Sequence, residues 1–207
     1  GLGIGAVGAV SATAGAAPGA GASAAAARAA ISAAAAREAH SMPFQIGDFV
    51  FHPAHGVGRI VRLEERRFDR EQARLYYEVL TQKSTIWVPV ETYEAVGLRQ
   101  LTARPDLARY RNVLRSRPAP LEKDTYKRRR ELADRLKQGS FQAVCEVVRD
   151  LTARSWRKPL NEADSASLRR AREYLCQEWA AAAGVSIAEA TQEVEDLLRE
   201  ARQVYMV

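Results

Sequence analysis

Residues 42–64 read MPFQIGDFVFHPAHGVGRIVRLE. Phe44, Ile46, Phe49 to Phe51, Val57, Ile60 and Val61 recur at close to a period of two. Gly47-Asp48 and Pro53-Ala54-His55-Gly56 interrupt them with turn residues. Alternation punctuated in this way predicts short strands joined by tight turns. His52 and His55 raise a second possibility, a metal site. On an extended strand entering a turn, however, their side chains are not expected to converge, and no Cys or third His follows at a ligand spacing. His40 lies upstream of the patterned region. Pro53 fixes φ, and Gly56 and Gly58 permit close approaches that a Cβ would forbid. The stretch is therefore read as strand, turn, strand, with histidines that pack or cap, and no metal ligand is assigned.

Working downstream, RLEERRFDREQARLYYEVL (62–80) has a polar centre at Asp69 to Gln72 between two strand-like arms, which predicts a hairpin. After a turn at TQK, STIWVPVE (84–91) supplies another strand, and Pro89 restricts it to a sheet edge or a strand end. ETYEAVGLRQL (91–101) closes the unit with a short turn of helix. Four or five short strands over about fifty-five residues predict a small barrel or curled sheet. At Pro105 the apolar period changes to that of a helix. PDLARYRNVLRSR is the first helix and stops at Pro118–Pro120; the second spans about 124–137 and ends at Gly139. Ser140 caps a third with Phe141, Val144, Cys145, Val148 and Leu151 on one face. Asn161 and Asp164 resemble a capping box opening a fourth, striped by Leu168, Ala171, Leu175, Trp179 and Ala182. Ser186 and Glu189 form another before a fifth, striped by Ile187, Ala190, Val194, Leu197, Leu198 and Ala201. The expectation is an α+β chain: a leader over 1–41, a β domain over 42–103 and an all-α domain of about five helices over 104–207.

The first forty residues are almost entirely Ala, Gly and Ser and cannot bury enough apolar surface to offset the entropy of ordering. They read as a vector-derived leader or translated upstream sequence, with a functional flexible tail as the alternative and transient helix over the Ala-rich run 24–35. The formal net charge is +6 and the pI near 9.6, which permits an anionic partner without demanding one. Its distribution is more informative. Residues 42–104 carry nine basic and eight acidic side chains, 105–158 fifteen and seven, and 159–207 five and nine. The two cysteines, Cys145 and Cys176, form no CxxC and sit in or beside apolar stripes, so they are expected to be small buried residues in a reducing, cytoplasmic setting. No long apolar span suggests a membrane.

No Ser, His and Asp set and no phosphate-binding glycine loop is recognisable, HGVG being too short for one, and no enzymatic activity or cofactor is expected. The strongest chemical feature is KDTYKRRRELADRLK (123–137). Lys127 to Arg130 stand at the start of a helix, where cations oppose the macrodipole and cost a few tenths of a kcal/mol, roughly, unless an anion compensates. Phosphate would do so; Glu131 and Asp134 also supply partners at helical spacing. Arg154, Arg157 and Lys158 form a second group around Trp156. If both groups face one way, they could follow a phosphate backbone and give steeply salt-dependent binding. No helix has base-reading residues at suitable spacing, so sequence-specific readout is not indicated.

GDFVFHPAHGVGRI (47–60), AVCEVVRDL (143–151) and LRRAREYL (168–175), in that order, resemble the signatures of the CarD/CdnL family of bacterial transcription regulators. The similarity extends over about 42–201. It implies a Tudor-like N-terminal domain that binds the β subunit of RNA polymerase and a helical domain that touches promoter DNA at the upstream edge of the bubble, stabilising the open complex without reading sequence. By position it assigns polymerase contacts to Arg66, Arg67 and Phe68, and to Trp87 where family members are usually basic; Trp87 either anchors on the polymerase or caps the barrel. It assigns DNA contacts to Lys127, Arg128, Arg130 and Arg154, with Arg157 and Lys158 beside them. The position of a family tryptophan that wedges against the fork is Thr125, which cannot stack. Tyr126, about 100° around the helix, substitutes only if the helix start shifts, and Trp156 is either a second wedge or a cap on the helical core. A monomer is expected. The alternative is a protein-interaction adaptor whose basic helices bind structured RNA or ribosomal surfaces.

Overall fold

The computed structural model describes residues 42–67 and 72–205. The expected leader and Phe68 lie outside the described residues. Five strands are present: β1 Phe49–His52, β2 Gly56–Arg66, β3 Arg74–Thr81, β4 Thr85–Pro89 and β5 Arg99–Gln100. They form one antiparallel sheet in the order β4-β3-β2-β1-β5. The expected α+β arrangement holds, but as an open sheet rather than a barrel. Pro89 ends the edge strand β4, where a missing N–H leaves no ladder bond unmade. The opposite edge, β5, is only two residues long, a length too short to show a period in the sequence.

The opening turn is built as its residues dictate. Gly47 has φ +102 and donates its N–H to the Ile60 carbonyl at 2.7 Å, and Asp48 Oδ2 accepts the Gln45 N–H at 2.8 Å. Alternate residues Val50, Ile60, Tyr77, Val79 and Val88 then point to one face, where they close with Phe44 and Leu98 over a small core. Phe44 meets Tyr77 and Tyr93 edge-on at 5.7 and 5.1 Å. A bulge between Ile60 and Arg62 keeps the longer strand in register with β3.

Five helices follow: α1 Leu107–Arg115, α2 Thr125–Lys137, α3 Phe141–Arg157, α4 Glu162–Ala183 and α5 Ile187–Tyr205. Polar side chains cap three of them. Asp124, Ser140 and Asn161 accept N–H groups of Lys127, Ala143 and Asp164. Gly184 ends α4 in the left-handed conformation. Ser186 and Glu189 satisfy one another reciprocally, Ser186 N–H to Glu189 Oε2 at 2.9 Å and Glu189 N–H to Ser186 Oγ at 3.2 Å. Trp179, fully buried, lies at the centre of the helical core with Phe141, Leu151, Leu175 and Leu197. Its Nε1–H donates to Glu193 at 2.9 Å. Of the predicted α5 stripe, Ile187 is the exception and is exposed.

The sheet and the helices are locked together at one carboxylate. Glu178 of α4 is completely buried and accepts from Arg99 Nη1 and Nη2 at 2.7 and 2.8 Å and from Thr102 N–H and Oγ1–H at 2.9 and 3.0 Å. Arg99 also lies 4.4 Å over the Phe51 ring, and Phe51 packs edge-on to Tyr174, whose hydroxyl donates to the Ala54 carbonyl at 2.8 Å. Phe51 thus belongs to the face opposite Val50. Strand alternation sends one residue to the sheet core and the next to the helices.

Candidate functional site

On the sheet, Arg62, Glu64 and Arg66 alternate along β2, with Glu78 of β3 and Trp87 of β4 beside them. The Arg66 guanidinium lies 4.5 Å from the Trp87 ring centroid and donates through Nε to Glu64. Arg62 pairs with Glu64 at 3.6 Å and Glu78 at 3.7 Å. The hydrogen bond from Arg66, more than the nearby charge, holds the Glu64 carboxyl below the usual carboxylate range. Trp87 is 37% exposed and is not among the described residues that form the sheet core. Arg67 is exposed at the end of β2. Arg66 and Trp87, twenty-one positions apart in sequence, thus form one cation and aromatic surface.

On the helices, α2 begins at Thr125, with Asp124 as its cap. The shifted start that would carry Tyr126 to the wedge position does not occur. Both residues are exposed, Tyr126 to 76%. Trp156 packs against the helical core under Arg202, 5.8 Å away, which is the capping role.

Arg128 departs from the expectation of a DNA-facing cation. It is 1% exposed and paired with Asp164, 2% exposed, at 2.9 Å. Its Nη1 also donates to the carbonyls of Glu122 and Lys123 at 2.9 and 3.1 Å. The anion that offsets a cation at this helix start is therefore a carboxylate of the protein. Asp164 is not the reciprocal half of a capping box but a buried counter-ion; the sequence gives the same signal for both. Arg154 is also largely buried and approaches Asp164 at 3.7 Å. Sharing Asp164 draws the start of α2 and the end of α3 together. Lys127, Arg130, Arg157 and Lys158 remain exposed, and Arg130 makes a long surface pair with Asp134 at 4.0 Å. Arg129, part of that basic run but not among the DNA contacts the resemblance assigns, is also exposed.

His52 and His55 come closer than expected, with ring centroids 4.8 Å apart. His52 Nδ1 accepts the Ala54 N–H at 3.1 Å, a capping role. Burial, and secondarily the neighbouring His55, lower its pKa. Among the described residues no group of three or more His, Cys, Asp or Glu side chains could hold a metal. Cys145 and Cys176 are buried, and burial pushes both thiols up, Cys145 strongly, away from the reactive thiolate form. No helix among the described residues is long and apolar enough to cross a membrane.

Two family models match this chain, one over the sheet and one over the helices. The CarD-like/TRCF RID domain matches residues 44–102, and the CarD C-terminal domain matches residues 109–195. Both halves match in order, and the chain belongs to the CarD family of transcription regulators. Among its relatives is the transcription-factor candidate YdeB of Bacillus subtilis (strain 168), 28% identical over 144 residues that span 69% of this chain and 94% of the relative.

Proposed function

We propose that the chain binds the β subunit of RNA polymerase through its sheet and stabilises the promoter open complex through cations of its helical part, which meet DNA phosphates near the upstream fork without reading sequence. The observation that carries the reading is the coexistence, on one chain, of the exposed Arg66–Trp87 surface within an RID-type sheet and the exposed Lys127, Arg130, Arg157 and Lys158 on the helices. Docking on the polymerase would raise the local concentration of these cations at the fork, so weak phosphate contacts suffice. Arg67, exposed at the end of β2, extends the sheet surface in this reading, and Phe68 is assigned to the polymerase contact by the resemblance alone. Arg154 acts from behind, holding Asp164, and Arg128 fixes the start of α2.

Four phosphate contacts predict a log K against log salt slope of about −3.6 on duplex DNA. Charge reversal at Lys127 and Arg157 should weaken binding similarly on unrelated sequences and flatten that slope by roughly two phosphates' worth. A variant that loses affinity on one sequence alone would contradict the phosphate reading. Replacing Trp87 with alanine should abolish capture of the β subunit while leaving the DNA slope unchanged.

A further inference from the structure

A concave cleft of about 970 Å³ lies between the linker at Arg117–Leu121, the C-terminal end of α3 and the end of α5. Arg117, Lys123, Arg154, Arg157 and Lys158 line it, and Tyr205 and Leu121 supply aromatic and apolar wall. Arg117, Lys123, Arg157 and Lys158 are exposed, and none of them has a carboxylate partner among the described residues. The single acid in the lining, Asp150, is buried and already committed. Its Oδ1 accepts from Arg149 Nε at 2.8 Å and from the Ala119 N–H at 2.9 Å, and its Oδ2 lies 3.3 Å from Arg135. Asp150 thereby pins the linker that forms one wall and is not free to neutralise Arg117, Lys123, Arg157 or Lys158.

We infer that this cleft takes a segment of single-stranded nucleic acid, its phosphates against Arg117, Lys123, Arg157 and Lys158 and one base against Tyr205. The inference deepens the proposed function and rests on it. The shape selects the ligand. A volume near the upper end of small-ligand pockets, about 300–1,000 Å³, admits a nucleotide or two, not a duplex. Unpaired cations around a concavity follow a phosphate backbone, and an aromatic wall offers the face on which an unpaired base stacks without regard to its identity. Neither Thr125 nor Trp156 offers such a face, the first for want of a ring and the second because its ring is packed on the core beneath Arg202.

Fluorescence anisotropy of the full chain, titrated into labelled oligothymidine and into a duplex of equal length, tests this. The expected result is tighter binding of the single strand. Tyr205→Ala should weaken it by about tenfold, as loss of one stacked base does, with duplex affinity unchanged. Tyr205→Phe should retain wild-type binding, and Arg117→Glu with Lys123→Glu should flatten the salt dependence on the single strand. Unchanged single-strand binding by Tyr205→Ala and by the double charge reversal would overturn the inference. If duplex binding still fell on charge reversal at Lys127 and Arg130, the proposed function would stand without it. Failure of the wild-type chain to bind either form at low salt would overturn both.

Discussion

Arg128 shows how far a charge in a sequence is from a charge on a surface. Nothing in KRRR distinguishes the second residue from its neighbours until α4 supplies Asp164 thirty-six positions later. Inside the fold the pair is structural. Arg128→Ala should therefore destabilise by roughly 3–5 kcal/mol, because it strands a buried carboxylate. Arg128→Met combined with Asp164→Leu should recover most of that loss in thermal or urea unfolding. Full stability of Arg128→Ala with lost DNA affinity would instead return this residue to the surface. His52 offers a second test. Its folded pKa is lowered by burial and by His55, so the stability it contributes is complete above its unfolded value, about 6.5, and is lost as pH falls through the folded value below it. The melting temperature of the wild type should drop more between pH 7.5 and 5 than that of His52→Gln.

At the scale of elements, caps and stripes were legible because they are local. Ser140, Asn161 and Ser186 each act within a turn of their own position, whereas Asp124, read as the first residue of its helix, caps it instead. What sequence could not show was where elements meet. β5 is invisible as a period of two residues, and the α5 stripe names a face without saying that the core ends before Ile187. The turn at Pro53 illustrates the same point. Its glycine neighbours in space come from distant loops: a Cβ on Gly97, at φ +78, would meet Pro53 Cγ at 2.7 Å, and one on Gly139, at φ +70, would meet it at 3.1 Å. The turn is therefore wedged between two backbones as well as joining two strands. Gly97→Ala should cost more than about 1 kcal/mol, since both its φ and its space are unsuitable for a side chain. An unchanged urea midpoint would show that the loop can move aside.

For the whole molecule, the sequence indicated β first and helices second, and positive charge in the middle, but not the coupling between the two parts. That coupling is the buried Glu178 with its four donors from Arg99 and Thr102. Its signal in sequence, one Glu within the apolar stretch 175–183, differs little from that of a solvated helix face. The consequence is mechanical: with the sheet held on the helices, the polymerase docking proposed at Arg66 and Trp87 would fix where Lys127, Arg130, Arg157 and Lys158 sit. The lifetime of the promoter open complex, followed after heparin challenge with purified polymerase, tests that bridge most directly. The account predicts a longer lifetime with the wild-type chain, and loss of the effect both in Trp87→Ala and in the Lys127→Glu, Arg157→Glu double variant, each of which retains the other contact. A lifetime unchanged by the wild-type chain at every promoter, or an effect that survives both sets of substitutions, would contradict it.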